Sequence, residues 1–320
     1  MKYNYQKLDI ETYIESLYAD GIQKSTMLSD DELKEAILNI GIFKFKGYVK
    51  AFRSGLSQYN FDDLIALYET DRKISSNLFI MTSKIEIKLK SYLVEIVYEL
   101  TDNRFFYLLK ENYKEDFNLP SDSLHDWEVR EPNPKQKSEI YMHYRDYYLS
   151  LYDYESNKNQ YIKDKELIGL NGNKDINYPP FHYFIESATL GTLIYIISKL
   201  KINDNDILKL LGNKFKMYMP HVFLNYLLRL KEVRNRCAHN GRLINRNYRG
   251  LKAFLGKHRT FRKTIYEHKL IDVYYTLHLL LDDTNKFKSI DDLVNGFTID
   301  NLSNCEENIK QFVLRFLKTG

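Results

Sequence analysis

The chain has 320 residues, 44% hydrophobic and 28% charged, which is enough apolar material for a substantial buried core. With only two cysteines (Cys237 and Cys305) and no apolar run of bilayer length, the chain, of net charge +4, reads as neither a disulfide-framed domain nor a membrane-spanning protein. The opening MKYNYQKLDIETY lacks a secretory apolar run, so a cytoplasmic protein with reduced thiols and no membrane partner is expected.

In chain order, residues 8–19 form the first amphipathic segment. Ser29 with Glu32 has capping-box spacing, which assigns the acidic pair Asp30/Asp31 to a helix start rather than to a metal. The best strand signal is IGIFKFKGYVKAF (40–52), where Ile40, Ile42, Lys44 and Lys46 alternate against Gly41, Phe43, Phe45 and Gly47. It reads as a short hairpin arm or a turn between helices.

From Leu64 onward apolar residues recur at helical spacing: Leu67, Ile74, Leu78, Met81, Ile85, Leu89, Leu93, Ile96 and Leu100. No Gly or Pro interrupts them, which predicts one helix of ~55 Å, with Lys84 and Lys88 on its solvated face. Further helices are expected at 139–153, 181–200, 204–215, 221–240, 264–281, 289–295 and 303–318. The polar segment 155–178, bearing LNGN, reads as a surface insertion, after which Pro179 and Pro180 restart the chain. Ser289 with Asp292 and Ser303 with Glu306 repeat the capping-box spacing. The fold class is all-α with little or no strand. It divides into an N-terminal helical arm (1–60), a core (61–285) and C-terminal helices (286–320).

Chemistry concentrates in KEVRNRCAHNGRL (231–243). From Arg229 to Lys263, twelve lysines and arginines accompany a single acid, Glu232, so the rest of the chain is net acidic. Such asymmetry predicts a polyanionic partner for one face. Pro220 suits a first helical turn, Phe223, Leu227, Leu230 and Val233 form the buried stripe, and Gly241 reads as the helix stop. His239 then lies in the last turn, where a histidine can act as general acid or base. Asn235 shares its face, four residues before it. Arg234 is rotated by ~140° from His239, so two copies of the helix complete a site more readily than one, and a homodimer is expected. Cys237 reads as packing rather than nucleophile. No HExxH, Cys/His cluster, GxxxxGK[ST] or strand-linked GxGxxG occurs, so no metal and no cofactor is expected.

Arg234-Asn235-Arg236-Cys237-Ala238-His239 resembles the Arg-x4-to-6-His signature of HEPN ribonucleases, and RNRCAHNGRLINR (234–246) resembles the hallmark of the Abi-like abortive-infection proteins (AbiD/AbiF-type). IGIFKFKGYVKAF (40–52), FDDLIALYETDRKISSNLFIMTSKIEIKLKSYL (61–93), HYRDYY (143–148) and PPFHYFIESATLGTLIYIISKL (179–200) follow that family's order. The resemblance implies a HEPN-like helical bundle and a metal-independent endoribonuclease of phage defence, dimeric, with Arg234, Asn235 and His239 catalytic. Arg236, Arg242, Arg246, Lys257, Arg259, Arg262 and Lys263 are candidate RNA contacts, the last four within GKHRTFRK (256–263). A non-catalytic protein holding a structured noncoding RNA on the same basic face is the alternative reading.

Overall fold

The computed structural model describes residues 9–52, 55–114, 139–143, 160, 179–251 and 268–318. Nearly all of the expected insertion at 155–178, most of HYRDYY, and the whole of GKHRTFRK with Lys257, Arg259, Arg262 and Lys263 lie outside these residues.

Helix α1 (Ile10–Ala19) starts at Asp9, whose carboxylate accepts from the Thr12 N–H, and it buries Ile14 and Leu17. Helix α2 (Asp30–Ile40) has the expected Ser29–Glu32 capping box. Gly41 then turns the chain at φ 88°, a backbone state that suits a residue without Cβ. The next segment is neither hairpin nor turn but a helix, α3 (Ile42–Val49). Its decisive pattern is the burial of Phe45, Tyr48, Val49 and Phe52 at helical spacing, which outweighs the period-two alternation of the same stretch.

Helix α4 (Phe61–Leu100) is the central element: 40 residues, opened by a reciprocal Asn60–Asp63 capping box. Leu64, Leu67, Ile74, Leu78, Ile85, Leu89 and Leu93 are wholly buried along it. Each such side chain stabilises the fold by about 1.5–3 kcal/mol. Lys84 is exposed as expected, but Lys88 is not on the solvated face. Its ammonium donates to the Leu280 carbonyl at 3.3 Å and lies over the Phe215 ring, and burial lowers its pKa.

After the short helix α5 (Glu139–His143), the expected helix over 181–200 is two helices, α6 (Phe181–Ser187) and α7 (Leu190–Lys199). Ala188 and Thr189 are extended, and Thr189 caps α7 by accepting from the Thr192 N–H. The apolar run hides this break because residues on both sides of it are core. Strands β1 (Lys201–Ile202) and β2 (Asn205–Asp206) pair antiparallel through Asn203 and Asp204, both at positive φ. They are the only named strands among the described residues, so the fold is all-α.

Helices α8 (Ile207–Lys214), α9 (Pro220–Ala238), α10 (Leu270–Leu281), α11 (Ile290–Leu302) and α12 (Glu307–Lys318) complete the bundle. The Ser289–Asp292 box forms, with Asp291 and Asp292 in the first turn. The Ser303–Glu306 box does not: Ser303 closes α11, and α12 begins only at Glu307. Helices α3, α6, α8, α9, α10, α11 and α12 all pack on α4, and α9 does so most extensively. No helix among the described residues is long and apolar enough to cross a membrane.

Candidate functional site

Packing fixes the rotation of α9. Val222, Phe223, Tyr226, Leu227, Leu230 and Val233 are fully buried, so the residues between them must face outward or toward a neighbour's edge. Arg229 departs from the basic face expected for it: it is only 1% exposed. Its guanidinium donates to Asp272 at 2.5 Å, to Thr276 at 3.1 Å and to the Arg249 carbonyl at 2.6 Å. The pair is buried in the α9–α10 interface and ties the 249 loop to both helices.

The helix ends at His239 in the C-cap position. Asn240, at φ 52°, donates its N–H to the Cys237 carbonyl at 3.2 Å, and the Gly241 N–H donates to the Arg236 carbonyl at 2.7 Å. This is a Schellman closure with Asn240, not Gly241, in the left-handed position. Gly241 serves a different purpose, since a Cβ on it would sit 3.2 Å from the Arg236 carbonyl oxygen.

Sequence reasoning missed what holds this turn. Asp71 of α4, fully buried, accepts from the Leu243 N–H at 3.0 Å and the Ile244 N–H at 2.8 Å. It also accepts from the Tyr48 hydroxyl and from Arg72, each at 2.6 Å. Arg72 in turn donates to the Gly241 carbonyl at 2.9 Å and to the Asn240 side-chain oxygen at 3.3 Å. Burial and the adjacent Asp71 push the Tyr48 phenol well above its ordinary value, so it stays a donor. The two residues following His239 are thus clamped to α4 by a charged network. The available signal was an acid, Asp71, on the apolar stripe between Leu67 and Ile74.

Around this turn the expected site residues divide. His239 is exposed, and Asn235 is half-buried, lining a cleft of about 410 Å3 with Leu228, Lys231, Glu232 and Arg249. Arg234 turns the other way, its Nε 3.7 Å from Glu86 on α4. Helical spacing puts Asn235 and His239 on one face, joined by the His239 N–H donating to the Asn235 carbonyl at 3.0 Å, and Arg234 lies beside it. Arg236 pairs with Glu232 at 2.9 Å and lies over the Tyr248 ring, so its charge is partly engaged. Arg242 is half-buried: burial, and then Arg246, lowers its pKa, and its Nε and Nη1 have no hydrogen-bond partner among the described residues. Arg246 is exposed.

Cys237 is buried, and burial pushes its thiol upward, opposite to what a nucleophile requires. Among the described residues no group of three or more His, Cys, Asp or Glu side chains could hold a metal ion.

Residues 35–245 match the family model described as Abi-like protein. The match spans α3, α4 and all of α9 and ends at Asn245, just past the loop anchored by Asp71. No curated protein and no solved structure matches the chain.

Proposed function

The chain belongs to the Abi-like protein family, and on that premise we propose that it is a metal-independent endoribonuclease of abortive-infection phage defence, acting in the cytoplasm as a HEPN-type homodimer. The carrying observation is the exposed end of α9, where Asn235 and His239 share a face and the following turn is clamped by Asp71 and Arg72. The clamped turn fixes the backbone from which the exposed imidazole projects, a support that general acid–base catalysis can use.

In the proposed reaction a ribose 2′-oxygen attacks the adjacent phosphorus while His239 accepts its proton. The bond to the 5′-oxygen breaks, and the imidazolium returns the proton to that leaving oxygen. The products are a 2′,3′-cyclic phosphate and a 5′-hydroxyl. Arg234 stabilises the charge that builds on the phosphoryl oxygens, and Asn235 orients the reacting groups. Removing one such electrostatic donor costs on the order of 100- to 1,000-fold in rate.

Because Arg234 leans toward Glu86 and away from the Asn235–His239 face, a second copy supplies the arginine. Ile80 and Ile87, 53% and 65% exposed on α4 one turn either side of Ser83 and Lys84, offer the apolar area for it. Mixing tests this directly. Arg234→Ala and His239→Ala proteins, each inactive, regain RNA cleavage when combined, because one of the two shared sites then holds both intact groups. Failure of the mixture to cut, with each variant folded and the unmodified protein active, contradicts the shared site. Equal RNA retention by all three proteins with no cutting by any favours the RNA-holding alternative, in which Arg246 and its neighbours bind without chemistry.

A further inference from the structure

One stripe of α9 runs through Leu228, Lys231, Glu232, Asn235 and His239, at helical spacings of three and four. The first four of these, with Arg249, line the cleft of about 410 Å3. That is near the lower end of the roughly 300–1,000 Å3 of small-molecule sites, room for one nucleotide and not for a duplex.

The charges in the cleft are arranged for an anion. Glu232, its only acid among the described residues, is already engaged: one oxygen accepts from Arg236 at 2.9 Å and the other from the Arg249 N–H at 2.9 Å. The side-chain charges of Lys231 and Arg249, by contrast, have no carboxylate partner among the described residues. The Lys231 ammonium lies against Gly191 in the first turn of α7, where a Cβ would stand 3.3 Å from it. Two cations without a carboxylate, an amide and an apolar floor at Leu228 therefore line one hollow whose helix face continues to His239.

We infer that this cleft is the subsite for the single unpaired nucleotide beside the scissile phosphate, with Lys231 and Arg249 on its flanking phosphates, Leu228 under the base and Asn235 at its polar edge. The inference rests on the nuclease reading and adds its substrate class: single-stranded RNA.

The test uses the full chain and a fluorescent 2′-O-methyl oligoribonucleotide, which binds but whose blocked 2′-oxygen cannot attack the phosphorus. Lys231→Gln with Arg249→Gln weakens binding about tenfold and flattens the salt dependence by about 0.7 for each phosphate no longer neutralised. A control pair of exposed cations elsewhere, Lys209→Gln with Lys288→Gln, changes affinity less than about twofold. In the unmodified protein, 4-thiouridine-substituted RNA crosslinks within residues 228–235. Equal affinity of the two double variants, or crosslinks confined to another surface, overturns the subsite even if the protein cuts RNA. Weakened binding and crosslinks at the cleft without any cutting would keep the subsite and remove the nuclease. An unmodified protein that binds no RNA removes both.

Discussion

Replacing Asp71 with alanine removes one carboxylate and strands three donors. The Leu243 and Ile244 N–H groups and the Tyr48 hydroxyl, now held at 3.0, 2.8 and 2.6 Å, lose their acceptor in a buried site. Each stranded group costs about 1–3 kcal/mol, and with partial relaxation the net loss is about 4 kcal/mol. Unfolding entropy near 2.1 cal/mol/K per residue, summed over 320 residues, converts this into a fall in Tm of about 6 °C. Asp71→Asn keeps an oxygen for the two backbone donors but sets its amide against Arg72, so about half that fall is expected. Calorimetry gives the Tm, and hydrogen exchange at the Leu243 and Ile244 amides localises the damage. A Tm for Asp71→Ala within about 1 °C of the unmodified protein, with both amides still protected, would refute the clamp.

Arg229→Ala leaves Asp272 charged and buried, and is expected to destabilise by about 3–5 kcal/mol in a denaturant titration, whereas an exposed arginine such as Arg246 replaced the same way changes little. Gly212→Ala in α8 places a Cβ 2.6 Å from the Met217 carbonyl oxygen and should lower stability by about 1–3 kcal/mol, read as a shift of the same midpoint. Burial, helped by Lys286, holds the His278 imidazole below its ordinary value of 6.5 against the pull of Asp283. The unfolded chain therefore binds that proton more readily, and stability is lost as pH falls below about 6.5 toward the native value. The Tm difference between the unmodified protein and His278→Gln should accordingly narrow on going from neutral to mildly acidic buffer; a constant difference would show that His278 is not a titrating contributor.

What the sequence disclosed was local. Helix α4 was legible because its apolar stripe runs without a Gly or Pro, and the caps at Ser29 and Ser289 were legible because donor and acceptor lie three residues apart. Tertiary decisions were not. Helix α3 was masked by an accidental alternation, since burial of Phe45 and Tyr48 against the bundle decides the conformation there. Lys88 and Arg229 resembled surface charge until packing gave each a buried acceptor, Leu280 for one and Asp272 for the other. At the site, Arg234, Asn235 and His239 were readable as a spacing, and their divergence around the helix followed from its pitch. The Asp71–Leu243 anchor spans 172 positions, so nothing local announces it except an acid where the stripe calls for an apolar side chain.

The most direct measurement compares the unmodified protein with His239→Ala on labelled single-stranded RNA in EDTA, following both cleavage and affinity. His239 is exposed and, among the described residues, donates only its backbone N–H to the helix end, so its removal should leave the fold and RNA affinity nearly intact. The nuclease account predicts fragments ending in 2′,3′-cyclic phosphate with the unmodified protein and none with the variant. Identical cleavage by both proteins, or tight binding by both with no cleavage, would contradict it.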